Sequence, residues 1–292
     1  MRTALYLALL GCLAPTLAAC QPPSEVGLFD SGGVSIRYMD LGSGDPVLLI
    51  HGFGSRLETW EEYGVTRALN DAGFRVIAYD VRGHGESGKP HDPENYGAED
   101  VEDATRLLDH LGISQAHVVG YSRGGGILSR LVAQYPNRVR TAVFGGWATG
   151  NPIDMLSRSD CLATAELLRS ESFPVPLVRA LGPPGAPLPT PEGQESFVRG
   201  LAEGNDLRAL AAAFEAGCDV APMTPSALEG TSVPMLAIVG QDDGFVQSVE
   251  GMVTATDGSI GMHVIEGANH STAPYDPEFS ARLVAFLTGD HR

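Results

Sequence analysis

The stretch Val118-Val119-Gly120-Tyr121-Ser122-Arg123-Gly124-Gly125-Gly126 decides how this chain is read. Two β-branched residues run into a Gly-x-Ser-x-Gly turn, and Ile127, Leu128, Leu131 and Val132 leave it at helical spacing. The pattern predicts a buried strand, a sharp turn and a helix. A serine at such a turn sits over the helix N-terminus, and its flanking glycines let the backbone reverse without a Cβ clash. The hydroxyl becomes a nucleophile only if a base can reach it. A second use of the same serine stays open on these residues alone, which is to cap the helix that follows.

Working outward toward the N-terminus, Pro46-Val47-Leu48-Leu49-Ile50 is a continuous apolar run, as in a strand buried on both faces, and it delivers His51-Gly52-Phe53-Gly54. A helix is expected from about 57 to 72, closed by Gly73. Residues 74–79 read as a strand leading into Asp80-Val81-Arg82-Gly83-His84-Gly85-Glu86-Ser87-Gly88, and residues 97–111 present Val101, Ala104, Leu107, Leu108 and Leu111 at helical spacing. Earlier still, Val34-Ser35-Ile36-Arg37-Tyr38-Met39 alternates as an exposed antiparallel edge strand would. Toward the C-terminus, residues 139–144 form another strand, and then the sheet pattern stops. Between about 149 and 233 lie helical patches near 159–169, 192–203 and 205–216, around a proline-rich run at 173–191. Within that run, Gly182-Pro183-Pro184-Gly185 fits neither a helix nor a strand interior. Strand pattern resumes at 234–239, followed by Gly240-Gln241-Asp242-Asp243, a helix, a strand at 262–265, Gly267-Ala268-Asn269-His270 and a last helix at 276–287. Alternating strands and helices predict an α/β fold with a mostly parallel, doubly wound sheet. The core would comprise residues 27–148 and 234–292, with a helical cap inserted at 149–233.

The 292 residues carry a formal charge of −17 although only 19% are charged, so the acidity reflects scarce bases; Lys89 is the sole lysine. A nucleic-acid partner is not expected, because binding phosphates requires a basic stripe. No His-Glu-x-x-His, no Gly-x-Gly-x-x-Gly after the first strand and no phosphate loop occurs, so neither a metal nor a nucleotide cofactor is implied.

Residues 1–19 read as a targeting segment. Arg2 precedes the apolar run Ala4-Leu5-Tyr6-Leu7-Ala8-Leu9-Leu10, which Gly11 and Pro15 break before it could span a membrane. The tetrapeptide Leu17-Ala18-Ala19-Cys20 resembles the lipobox of bacterial lipoproteins. That resemblance implies cleavage before Cys20, lipid on its thiol, a tether over 20–26 and a place in the cell envelope, held to the membrane by acyl chains. A plain signal peptide, giving a secreted periplasmic protein, is the alternative. Cys161 and Cys218 both fall in the expected cap; in an oxidising compartment they would pair, and otherwise they are two buried thiols.

Five landmarks in order, His51-Gly52-Phe53-Gly54, the Asp80 to Gly88 turn, the serine turn, Gly240-Gln241-Asp242-Asp243 and Gly267-Ala268-Asn269-His270, resemble the capped enzymes of the α/β-hydrolase fold superfamily. The resemblance covers nearly all of the chain beyond the targeting segment. It implies Ser122 as nucleophile, His270 as base and, from Gly-x-x-Asp spacing, Asp243 as the acid. Asp242 and Asp154 stay open as alternatives for the acid. The backbone N–H groups of Phe53 and Arg123 would hold the oxyanion, and the Arg123 side chain would pair with an acid on a helix or loop. His117 and His263 lie within strands and His84 in a turn, where structural roles are expected. A serine nucleophile excludes the aspartate-based mechanism of dehalogenases and epoxide hydrolases. The implied activity is hydrolysis of small apolar carboxylic esters or lactones, with cap residues such as Leu162, Leu168, Phe173, Leu177, Leu201 and Phe214 partly facing the serine. The same triad could act on an amide or a C–C bond, or form peracids. In a different class stands a non-catalytic binding lipoprotein on this fold.

Overall fold

Val47, Leu48, Leu49 and Ile50 have no exposed surface. A strand that hides both faces has to lie inside a sheet with helices on either side. The computed structural model describes residues 25–289 apart from 152, 183 and 184. Residues 1–19 and Cys20 therefore lie outside the described residues.

In chain order the elements are β1 (Glu25–Ser31), β2 (Val34–Leu41), β3 (Pro46–Ile50), α1 (Thr59–Glu62), α2 (Val65–Asp71), β4 (Arg75–Tyr79), α3 (Ala98–His110), β5 (Ala116–Tyr121), α4 (Arg123–Gln134) and β6 (Val139–Gly145). Then come α5 (Arg158–Arg169), α6 (Val175–Leu181), α7 (Pro191–Ala202), α8 (Leu207–Glu215), β7 (Met235–Gly240), α9 (Val246–Ala255), β8 (Ile260–Ile265) and α10 (Pro277–Leu287). The eight strands form one sheet in the order β1-β2-β4-β3-β5-β6-β7-β8, with only β2 antiparallel to its neighbours. Alternation along the strands divides the core in two. Leu48, Ile50, Val118 and Phe144 face α3, α4 and α9. Val47, Leu49, Val119 and Val143 face α1, α2 and α10, where Trp60, Leu69, Phe279 and Leu283 are buried. This is the expected α/β architecture, a doubly wound and mostly parallel sheet.

The structure departs from the sequence reading in three places. β2 is not the edge strand: β1 covers it, beginning at Glu25 inside the segment expected to be tether. Gly27 and Asp30 disguise β1, and Gly27 is required there, since a Cβ would fall 2.5 Å from the Tyr38 hydroxyl oxygen. The helix expected from 57 to 72 is two helices, parted at Gly64, whose φ of 74° leaves the helical region. The proline-rich run contains α6, with Pro174 just before it and Pro176 in its first turn, where a missing N–H costs no hydrogen bond.

Between β6 and β7 the described residues hold α5 to α8 and no strand. Cys161 of α5 and Cys218 just beyond α8 form a disulfide with Cα atoms 5.6 Å apart. Leu168, Leu177, Ala211 and Phe214 pack around it, and Phe53 of the core joins the same cluster. Among the described residues no helix is long and apolar enough to cross a membrane.

Candidate active site

Ser122 directly follows β5 with φ 52° and ψ −119°, a conformation that costs a residue with a side chain roughly 1–3 kcal/mol. Packing enforces it. A Cβ on Gly120 would collide with the Gly124 carbonyl, and one on Gly124 would collide with the Ile50 carbonyl oxygen, so the turn is pressed against β3. The Ser122 N–H donates to the Gly145 carbonyl at 2.8 Å. Although Ser122 occupies the cap position of α4, its side chain makes no capping bond. The Oγ instead lies 3.0 Å from Nε2 of His270. Helix capping is therefore not what this serine does.

His270 stands in the loop after β8, and its Nδ1 lies 2.9 Å from Oδ2 of Asp243, in the loop after β7. A carboxylate only accepts, so Nδ1–H donates to Asp243 and Nε2 is left to accept the serine proton. The Asp243 side chain is buried, and its other oxygen accepts the Phe245 N–H at 2.9 Å. The Phe245 ring lies edge-on to the imidazole at 5.0 Å, while the Tyr121 hydroxyl donates to the His270 carbonyl at 2.7 Å. Asp242 points to solvent. Asp154 is 2.9 Å from the Asn151 side-chain nitrogen rather than on the histidine, and burial pushes its carboxyl up to about 6. Of the three aspartates open in the sequence, only Asp243 meets His270.

Gly52 lies against the serine, where a Cβ would come 3.3 Å from that of Ser122. His51 Nδ1–H donates to the Gly52 carbonyl at 2.8 Å, and its Nε2 accepts the Val81 N–H at 3.0 Å. This imidazole is neutral, and burial lowers its pKa. His84 is likewise held well below its ordinary value, by burial first and by His51 second. Its Nδ1–H donates to the Arg82 carbonyl at 3.0 Å. The N–H groups of Phe53 and Arg123 donate to no acceptor among the described residues, as an oxyanion hole would need. The Arg123 guanidinium reaches Asp100 of α3 at 2.8 Å, the kind of acid partner expected from the sequence. His117 and His263 bond Thr141 and Glu278, each at 2.8 Å, in agreement with structural roles.

Phe53 meets the inserted helices, its ring edge-on to Phe214 at 5.7 Å. Leu168, Leu177 and Phe214 form the apolar cluster that Phe53 and Leu201 join, whereas Phe173 packs with Phe197 at 5.6 Å. Which acid meets Arg123, and that the Tyr121 hydroxyl reaches the His270 carbonyl, no motif announces, because the partners lie 23 and 149 residues apart.

The family model for the alpha/beta hydrolase fold matches residues 45–157. A putative non-heme haloperoxidase of Mycobacterium phage D29 is 30% identical over 263 residues, covering 88% of this chain and 92% of its own length. The chain belongs to the α/β-hydrolase fold family. Within that family, the pig bifunctional epoxide hydrolase 2 is 40% identical to this hydrolase over 109 residues, which are 37% of this chain and 19% of the pig protein. A solved structure from work on carboxylesterases of the thaumarchaeon Nitrososphaera gargenis superposes with a TM-score of 0.70 at 25% identity, over 90% of this hydrolase and 98% of that chain.

Proposed function

We propose that this α/β-hydrolase enzyme is a cofactor-independent serine hydrolase acting on carboxylic esters or lactones of small apolar substrates. The observation that carries the reading is the continuous chain from the Asp243 carboxylate through His270 to the Ser122 hydroxyl, at 2.9 and 3.0 Å. Ser122 Oγ attacks the carbonyl carbon while its proton passes to His270 Nε2, and the charge that develops on oxygen is met by the Phe53 and Arg123 N–H groups. Collapse of the tetrahedral intermediate breaks the C–O bond, and the leaving alkoxide takes the proton from His270. Water, deprotonated by the same imidazole, then attacks the acyl-enzyme and releases the acid. The apolar residues Phe53, Leu201 and Phe214 favour an apolar acyl or alcohol group. The carboxylesterase neighbour supports the choice of bond. Purified protein is expected to hydrolyse p-nitrophenyl acetate and butyrate, with Ser122→Ala lowering kcat by roughly 10⁴–10⁶-fold. An ester rate untouched by that substitution overturns the reading.

The name of the phage relative favours a second use of the same acyl-enzyme. Hydrogen peroxide in place of water would release a peracid, and peracid formation from acetate and peroxide, absent in Ser122→Ala, is its signature. The lipobox-like tetrapeptide ending at Cys20 supports an acyl anchor that holds the enzyme to a membrane in the bacterial envelope. Cys20→Ser should move the protein from the membrane fraction to the soluble one, and unchanged retention defeats the anchor.

A further inference from the structure

Asn205 lies in the connection between α7 and α8, yet its side chain is spent on the core. Its Oδ1 accepts the Gly85 N–H at 3.0 Å, and its Nδ2 donates to the Gly54 carbonyl at 2.9 Å and to the Leu201 carbonyl at 3.1 Å. Gly54 directly follows Phe53 and holds φ 73°. A glycine there can cross to negative φ at little cost, so the direction of its carbonyl depends on what holds that peptide. That carbonyl shares its peptide plane with the Ser55 N–H, which reaches back to the plane carrying the Phe53 N–H. The Gly52 carbonyl accepts from His51 at 2.8 Å and from the Ser55 N–H at 3.2 Å. The Gly52 carbonyl lies in the same peptide plane as the Phe53 N–H, so that donor is held directly by His51 and, through the Ser55 N–H, by the Gly54–Ser55 peptide that Asn205 anchors from the inserted helices.

The same helices touch this loop by packing. A side chain at Gly54 would collide with Leu201, and the Phe53 ring rests against Phe214. Arg123, the other residue offered as an oxyanion donor, directs Nη1–H at the Ala213 carbonyl of α8, at 3.4 Å. Beside Asn205, His91 and Asp206 make a second bridge between core and inserted helices at 2.8 Å, but this one reaches neither Phe53 nor Gly54.

We propose that Asn205 is a positioning residue: by fixing the Gly54–Ser55 peptide, whose N–H bonds the Gly52 carbonyl, it steadies the Phe53 N–H in the adjoining plane, so the oxyanion hole reaches full strength only while the inserted helices are seated. This rests on the serine-hydrolase reading. Loss of the Asn205 bond loosens the donor without removing it, so the cost falls short of the 10²–10³-fold typical for deleting an oxyanion contact.

The test compares wild type, Asn205→Ala, Asn205→Asp and His91→Gln on p-nitrophenyl butyrate, with Ser122→Ala alongside. Asn205→Asp keeps the shape and the acceptor for Gly85 but turns the donor toward Gly54 into an acceptor. Both Asn205 variants are expected to lose about 10–100-fold in kcat with KM changed less than about 3-fold, and His91→Gln to retain kcat. Amide hydrogen exchange across residues 53–57 should quicken in the Asn205 variants and not in His91→Gln. The proposal is overturned by wild-type kcat in a folded Asn205 variant, by a loss confined to KM, by an equal loss in His91→Gln, or by unchanged protection at 53–57. Failure of the underlying reading shows differently, as hydrolysis that survives Ser122→Ala. Exchange still decides the role of Asn205 in that case, because it requires no turnover.

Discussion

Asp243 and Asp242 are neighbours in sequence, but only Asp243 is buried against an imidazole, and that difference gives it a consequence when replaced. Asp243→Asn puts an amide where a carboxylate accepted the Nδ1 proton. The imidazole then favours its other tautomer, with Nε2–H pointing at the serine and no lone pair to receive the proton. A fall in kcat of about 10⁴-fold is expected, with an unchanged melting temperature because the amide oxygen can still accept the Phe245 N–H. Asp242→Asn and Asp154→Asn should stay near wild type, and steady-state kinetics of the three variants checks this. The serine and the histidine were legible because each stands in a short glycine-marked turn after an apolar strand. For the acid, spacing pointed to Asp243 with Asp242 and Asp154 left open, and of the three only Asp243 lies on the imidazole. Asn205 was not legible at all: its bonds to Gly85 and Gly54 span 120 and 151 residues, and an asparagine between two helices has ordinary local uses.

Helix α4 begins on the residue after the serine, so its first side chain is placed wherever the turn sends it. Arg123 points to α3 and pairs with an Asp100 carboxylate that is almost wholly buried, and Asp100 also accepts the Gly97 N–H at 3.0 Å. Removing one partner strands the other in a poorly solvated place. Arg123→Met is expected to cost about 3 kcal/mol in urea unfolding, and Arg123→Met combined with Asp100→Asn to recover most of it. Equal stability of the single and double variants would contradict this account. Elements were legible where their own periodicity was undisturbed. β3 read as a buried strand because apolar residues fill it from end to end, and β5 because Val118 and Val119 run straight into the glycine-marked turn. β1 did not, since Gly27 and Asp30 interrupt it, Gly27 to admit Tyr38 and Asp30 to accept the Gly33 N–H in the turn to β2. α6 was hidden by prolines that are harmless at a helix start but signal a break when read as composition.

Across the whole molecule, burying neutral bases makes the fold sensitive to acid. His84 and His51 have lowered pKa values in the folded state, so the unfolded chain takes up protons near the ordinary value of about 6.5 that the fold refuses. Their contribution to stability is therefore present above that pH and lost as the pH falls. Asp154, pushed up to about 6, acts in the opposite sense, favouring the fold as it becomes protonated. A difference measurement separates the two. Relative to His84→Gln, wild type should lose up to about 1.4 kcal/mol per pH unit below 6.5 in urea titrations, and a constant gap between the two proteins would contradict this. The order of the sheet carries a last consequence. β1 is its border strand, four places from the strand that bears Ser122, and it runs parallel to β5, so Glu25 enters at the amino end while the serine stands at the carboxyl end. At about 4.8 Å per strand the lateral offset alone is roughly 19 Å. Anything fixed to the protein at Glu25 therefore meets it at the opposite end of the sheet from Ser122 and well to one side, clear of the triad's own loops.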